Sequence, residues 1–260
     1  MIIGGLDLSK NHYALILKDL NSAMSKIYIG WHTLSAVKKW EKKFSEYVFH
    51  YLPTKGKGET QEHYDMEQGM LLAKCIRNDI VNFIRKIDEF WYMNSAEQLM
   101  PVIIALEGYA YRAYRSIDLA EVTRSVKEMI YKNYWAIRIH DPQSIKLWAG
   151  RGNYDKKQMV RQARRHIDIP QEFSVLKSGG IATDIADAYF LMIMLEVEIA
   201  IRKDPIQMRH LNEKQLQVMN RTTRTQPVNL LNRDFLSIEQ PKLITEKRNE
   251  KKREMKISLY

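Results

Sequence analysis

Four carboxylates in this chain stand where apolar segments begin or end: Asp7, Glu107, Asp184 and Asp187. Asp7 closes the run Ile2-Ile3-Gly4-Gly5-Leu6 and precedes Leu8-Ser9-Lys10. Glu107 closes Val102-Ile103-Ile104-Ala105-Leu106, and Gly108 follows it. Asp184 and Asp187 are three apart, so a helix would carry both on one face. Gathered in one place, four anions repel strongly unless a cation sits among them. Oxygen-only donors select hard divalent ions, Mg²⁺ or Mn²⁺. Two such ions roughly 4 Å apart can activate a water and stabilise the leaving oxygen of a phosphodiester. Each acid also has an ordinary reading. An Asp at a strand end forms turns, and a Glu there can be a plain surface acid. Asp184 with Asp187 imitates a capping box, unless Thr183 is the cap and leaves both aspartates free.

The charge of the chain fits a phosphate-directed chemistry. Lys plus Arg total 41 against 31 acids, a net +10, and the pI is near 9.4. Such an excess attracts polyanions, of which nucleic acid is the commonest in a cytosol. The stretch 242–260, with seven bases and three acids, carries +4 of that total, so the larger share belongs to the body of the protein. The single cysteine, Cys75, cannot close an internal disulfide, and no Cys/His grouping suggests zinc. The longest unbroken apolar run, 188–195, is far short of the roughly 20 residues of a membrane span. With no leader-like start, the expectation is a cytoplasmic protein without membrane contact.

The elements that must hold these acids are legible as an alternating pattern. Residues 2–7, 13–17 and 26–29 read as short strands with brief connections, an antiparallel meander. Residues 34–50 have helical spacing through Val37, Trp40, Phe44 and Val48. Their lysines Lys38, Lys39, Lys42 and Lys43 form either a solvated helix face or a ridge for DNA. A polar loop at 53–63 leads to a helix over 66–90. The strand at 101–107 is followed by a helix over 116–131 and a strand over 135–139. Helices are then expected over 142–148, 154–166 and 184–202, with Gly150 and Gly152 breaking the chain between the first two. Residues 205–260 read as a basic, partly disordered extension with little core of its own. The whole is a mixed-sheet α/β domain over 1–204, with a helical insertion at about 34–100. Sites of open α/β sheets gather at strand ends, which gives these acids a reason to be neighbours.

Ile3-Gly4-Gly5-Leu6-Asp7-Leu8-Ser9, Ile104-Ala105-Leu106-Glu107-Gly108-Tyr109-Ala110-Tyr111 and Asp184-Ile185-Ala186-Asp187-Ala188 resemble the three acidic motifs of RuvC-type Holliday junction resolvases. Between the last two, Gly150-Arg151-Gly152-Asn153-Tyr154-Asp155-Lys156-Lys157-Gln158 resembles the family's Gly-x-Gly segment and the helix after it, which bears a lysine and a glutamine. The aromatic Glu-Gly-Tyr-Ala-Tyr stretch is most similar to phage-type members. The resemblance covers residues 1–31 and about 101–203. It implies an RNase H-like five-stranded sheet flanked by helices, in a homodimer that cuts opposed strands of four-way junctions and other branched DNA with two Mg²⁺ or Mn²⁺ ions per site. By the same resemblance Asp7, Glu107, Asp184 and Asp187 are the metal ligands, and Lys156 is the lysine at the scissile phosphate. Lys146 corresponds to a second family lysine, one residue off in its spacing to Gly150. Where some members place a histidine at the first position of the last acidic pair, this chain has Asp184, which favours a metal-held hydroxide over a histidine base.

Around these residues, Lys146, Arg151, Lys156, Lys157, Tyr109 and Arg112 form the expected DNA-binding set. Tyr109, Tyr111 and Tyr114, with Arg112 and Arg115 interleaved, could stack on unpaired bases or pack in the core or an interface. Three other functions share parts of the pattern. A RuvC-like transposase or recombinase would need a further catalytic segment downstream, which 205–260 has too little apolar content to supply. An actin-like ATPase would need a duplicated domain, and a non-catalytic nucleic-acid scaffold would have no use for all four acids.

Overall fold

The computed structural model describes residues 1–87, 101–108, 116–173 and 180–225. Three strands open the chain, β1 (Ile2–Leu8), β2 (Tyr13–Asp19) and β3 (Ser25–Trp31), paired as an antiparallel meander. Helix α1 (Leu34–Lys43) leads into β4 (Tyr47–Tyr51), and the long α2 (Gln61–Ile87) follows. Next come β5 (Val102–Glu107), α3 (Ser116–Lys132) and β6 (Ala136–His140). The remaining helices are α4 (Pro142–Ala149), α5 (Lys156–Ala163), α6 (Ile181–Lys203), a 3₁₀ turn (Pro205–His210) and α7 (Glu213–Thr225).

The sheet order is β4-β3-β2-β1-β5-β6, with β5 parallel to β1 and β6 parallel to β5. The five strands from β3 to β6 reproduce the expected RNase H-like arrangement. The sixth corrects the sequence reading. Residues 34–50 are not one helix, because α1 stops at Lys43 and the chain returns as an edge strand parallel to β3. Tyr47 and Phe49 point inward with period 2 and join Phe44, Trp40 and Phe173 in an aromatic cluster. A short apolar run satisfies either period, and here the free edge of β3 selected the strand.

The two faces of the sheet carry separate cores. Ile3 on β1 and Ile103 and Ala105 on β5 face α6, with α4, α5 and α1 beside it. Ile2 and Leu6, with Val102, Ile104 and Leu106, face α2 and α3. The insertion is therefore half of the fold's cover, and Asp79 of α2 anchors it. Its buried carboxylate accepts from the Tyr13 hydroxyl (2.8 Å) and lies 2.6 Å from His50 Nε2. Residues 205–225 are also built in, against the expectation of an extension with little core. Met208, Val218 and Met219 are buried in the same core as α6.

Gly5 sets the distance between α6 and the sheet. A Cβ there would lie 1.9 Å from the Ala188 carbonyl oxygen and 2.5 Å from the Met192 nitrogen. Both atoms are backbone, so no side chain can swing aside. Gly5→Ala should push α6 off β1 and cost at least about 1–3 kcal/mol. At roughly 2–4 °C per kcal/mol for a domain of this size, thermal melts should show a clear loss. An unchanged melting temperature would mean that α6 does not rest on β1 as described.

Candidate active site

The period of the strands and the register of the sheet bring Asp7 and Glu107 together. Odd-numbered residues of β1 and β5 face α6, and Leu6 pairs with Leu106, so Asp7 and Glu107 emerge side by side on that face. The contact at Gly5 then lays Ala188 over β1, which sets Asp184 and Asp187, up to one turn earlier in α6, above Asp7. Gly180 is the N-cap of α6 and offers no side-chain bond. Neither aspartate caps the helix, and the capping reading of the pair fails. Thr183 does not cap it either: it is buried, and its hydroxyl finds no partner among the described residues.

Asp184 is buried and the other three acids are partly so. Burial lifts the Asp7 carboxyl well above its ordinary range, and Asp184, Asp187 and Glu107 push it further, while Lys156 opposes them. Burial and then Asp187 push Glu107 up to about 7, against Lys146 and Lys156. Asp184 rises to about 7 for the same two reasons, opposed by Lys156 and by a hydrogen bond with Asp7. Burial raises Asp187 to about 6, against Lys156 and Lys146. The four acids thus share one low-dielectric pocket, and the two lysines offset only part of the repulsion. Such a donor set, all oxygen and all anionic, fits a hard divalent ion. The acids are not drawn together to shared-ligand spacing. Among the described residues, the trio with all ligand atoms within 4.8 Å of one another is Glu59, His63 and Glu67, at the largely exposed start of α2.

Lys156 is the first residue of α5. Asp155 caps that helix by accepting from the Gln158 backbone N–H (2.8 Å), and the Gln158 side chain accepts from the Asp155 N–H (2.9 Å). This capping box fixes the start of the helix and so aims Lys156 at the acids. Before it, Gly150 has φ +147°, and its carbonyl accepts from Lys214 Nζ of α7 (2.5 Å). Lys146, Arg151 and Lys157 are exposed, and of these three Lys146 acts on the acids. Of the other expected DNA contacts, Tyr109 and Arg112 lie outside the described residues, as do Tyr111, Tyr114 and Arg115. Lys38, Lys39, Lys42 and Lys43 are exposed on α1, and Lys43 pairs with Glu172.

One residue of the site had no signal in the sequence. His12, on the β1–β2 connection, places Nε2 3.1 Å from Asp184 Oδ2, and its Nδ1 meets the Ser9 hydroxyl. Burial, then His32 and Lys156, lower its pKa to about 4, so the ring is neutral. A lone histidine in a polar turn belongs to no spacing pattern. Only the hairpin that returns β2 beside Asp7 brings it to the pocket.

No protein-family model matches this sequence, and no curated protein does. Among solved structures the chain is similar to Thermus thermophilus RuvC, at 13% identity and TM-score 0.43, over 74% of this chain and 92% of that one. It is likewise similar to T. thermophilus RuvC in complex with a Holliday junction substrate, at 11% identity and TM-score 0.41, over 80% and 96%. No helix among the described residues is long and apolar enough to cross a membrane.

The raised acids set a direction for stability against pH. Their folded values lie near 6–7 for Asp187, Asp184 and Glu107, above the ordinary 3.8 and 4.5, so the native state holds more protons between these limits. Their contribution to stability therefore falls as pH rises through that window. In chelator, Asp187→Asn should melt higher than the parent at pH 8, by roughly 2–4 °C for each kcal/mol of relieved repulsion, with little difference at pH 5. A variant that melts lower at pH 8 would refute mutual repulsion in the pocket.

Proposed function

We propose that this protein is a divalent-metal-dependent endonuclease that cuts four-way DNA junctions and other branched DNA by phosphodiester hydrolysis. The observation that carries this reading is the meeting of Asp7, Glu107, Asp184 and Asp187, from three distant segments, in one pocket opposed by Lys156. A chain of net charge +10 around an anionic pocket has the charge pattern such a nuclease requires: cations outside for the DNA backbone, acids inside for metals. Two Mg²⁺ or Mn²⁺ ions held by these acids would supply an activated water and neutralise the leaving oxygen.

The residues of the chain have separate tasks in this scheme. Asp7 and Glu107, fixed on adjacent strands, form the rigid side of the pocket, and Asp184 and Asp187 close it from α6. Lys156 stabilises the charge that builds on the scissile phosphate, as a preorganised donor in a partly dehydrated site. Lys146, Arg151 and Lys157 bind the flanking backbone, and Tyr109 and Arg112, beside Glu107 in sequence, meet the bases at the branch. A junction presents two symmetric strands, so a homodimer related by a twofold axis supplies one pocket to each. The nuclease unit runs past residue 204 to take in α7, which packs on its core, the basic stretch 242–260 adds affinity, and the protein works in the cytoplasm. Glu-Gly-Tyr-Ala-Tyr after β5 favours a phage-type enzyme.

Incubation with a labelled immobile four-way junction, with and without Mg²⁺ or Mn²⁺ and beside a linear duplex, tests the reading. Metal-dependent cuts confined to the branch are expected. Asp7→Asn and Glu107→Gln should abolish cutting while junction affinity holds or rises, because removing negative charge lessens repulsion of phosphate. Binding without cleavage by the parent protein would favour the non-catalytic scaffold instead.

Lys156→Ala separates chemistry from docking. Its single-turnover rate should fall by at least ~100-fold, the size of losing one transition-state donor, while affinity falls far less. Neutralising Lys251, Lys252 and Arg253 should do the reverse, weakening binding with near-normal cutting at saturation. Normal cutting by Lys156→Ala on saturated junction would remove Lys156 from the active site.

A further inference from the structure

The glycine turn before α5 is held from outside by a lysine of α7. Lys214 Nζ donates to the Gly150 carbonyl (2.5 Å), a residue 64 positions earlier in the chain. Gly150 closes α4, and the last carbonyls of a helix have no partner within it. A cation placed there also faces the negative end of the helix dipole, so Lys214 fills a hydrogen bond and offsets that charge. The turn is otherwise tied only to its neighbours. Tyr154 folds back over Gly150, where a Cβ would lie 2.7 Å from its hydroxyl, and its backbone N–H donates to the Arg151 carbonyl (3.0 Å). Gln162 of α5 donates to the Tyr154 hydroxyl (3.4 Å). Among the described residues, the hydrogen bond that anchors the backbone of 150–154 to an element beyond α4 and α5 is the one from Lys214.

Lys214 is exposed, but its backbone is firmly placed. Asn212 accepts from the Lys214 and Gln215 backbone N–H groups (both 3.0 Å), and the Gln215 side chain accepts from the Asn212 N–H (3.1 Å). This reciprocal cap fixes the first turn of α7, as Asp155 and Gln158 fix that of α5. Val218 and Met219 then bury the next turn of α7 in the core that also holds Ile145 and Trp148 of α4. Met159 and Val160 seat α5 in the same core, beyond Lys156, so the entry to its first turn is set by the chain coming from Gly150.

We propose that Lys214 is a positioning residue for Lys156: by gripping the Gly150 carbonyl it braces the turn from which α5 starts, and α7 belongs to the cutting apparatus. The inference rests on the role of Lys156 proposed above and adds the element that holds it in place. In this role Lys214 acts through a backbone carbonyl and touches no phosphate. An arginine can replace it as donor, and a methionine of similar length cannot.

Full-length parent, Lys214→Met and Lys214→Arg can be compared on one labelled four-way junction in Mg²⁺ under single-turnover conditions. At saturation the cutting rate of Lys214→Met should fall by roughly 10-fold, less than that of Lys156→Ala, since a shift of about 1 Å near the reacting atoms costs up to ~100-fold. Junction affinity and its salt slope should stay at the parent's values, and Lys214→Arg should keep most of the rate. Hydrogen exchange reads the brace without DNA: in Lys214→Met the amides of 150–158 should exchange faster, with those of α2 unchanged. A parental rate at saturation in Lys214→Met, or unchanged exchange over 150–158, would overturn the proposal and leave the role of Lys156 standing. A salt slope reduced by about one would make Lys214 a phosphate contact and overturn it equally. A parent that cuts no junction, or a Lys156→Ala variant that cuts normally at saturation, would remove the reading of Lys156 and the brace with it.

Discussion

The architecture turns on one close contact, the backbone of α6 lying directly on β1 across Gly5. A side chain at that position would hold the helix off the sheet and carry its first turns away from the strand ends. Because Gly5 has no side chain, the helix backbone lies closer to the strand than any other residue would allow. Asp184 and Asp187 are thereby positioned relative to Asp7 by rigid elements, and Glu107 by the parallel pairing of β5 with β1. A site on such elements keeps its geometry under strong internal repulsion, which a site on loops would relieve by moving apart.

That repulsion is what makes the pocket a chemical device. Burial and like charge both favour protonation of the acids, and Lys156 and Lys146 reverse only part of it. A pocket in this state has a strong appetite for cations, and the rest of the protein supplies an electropositive surface that draws phosphates toward it. In the proposed nuclease the two demands meet: the anionic pocket takes metal, and the cationic surroundings bring in the polyanion. His12 adds no charge to this balance, since its ring lies neutral against Asp184.

The sheet was readable from the chain because alternation and apolar runs report burial directly. β1, β2, β3, β5 and β6 fall where their patterns lie, whereas the sharing of one face by Asp7 and Glu107 depends on the parallel register of β5 with β1. β4 was not readable. Tyr47-Val48-Phe49 serves a helix or a strand equally well, and only the unpaired edge of β3 decides between them. The part of the chain past Pro205 misled for a related reason. Met208, Val218 and Met219 are sparse among polar residues, and they become core only because α6 and α4 leave a place for them.

The sequence by itself determined which residues could do the chemistry: four acids at element ends, a lysine after a glycine turn, and a surface rich in cations. These are properties of residue type and local spacing, and they survive any uncertainty about packing. Tertiary structure decided which of them act together and in what state. The Gly5 contact selects the pocket over the capping role for Asp184 and Asp187, the raised acids follow from shared burial, and the hairpin brings in His12. The ring is held between one serine hydroxyl and one carboxylate, and no pattern along the chain encodes contacts of that kind.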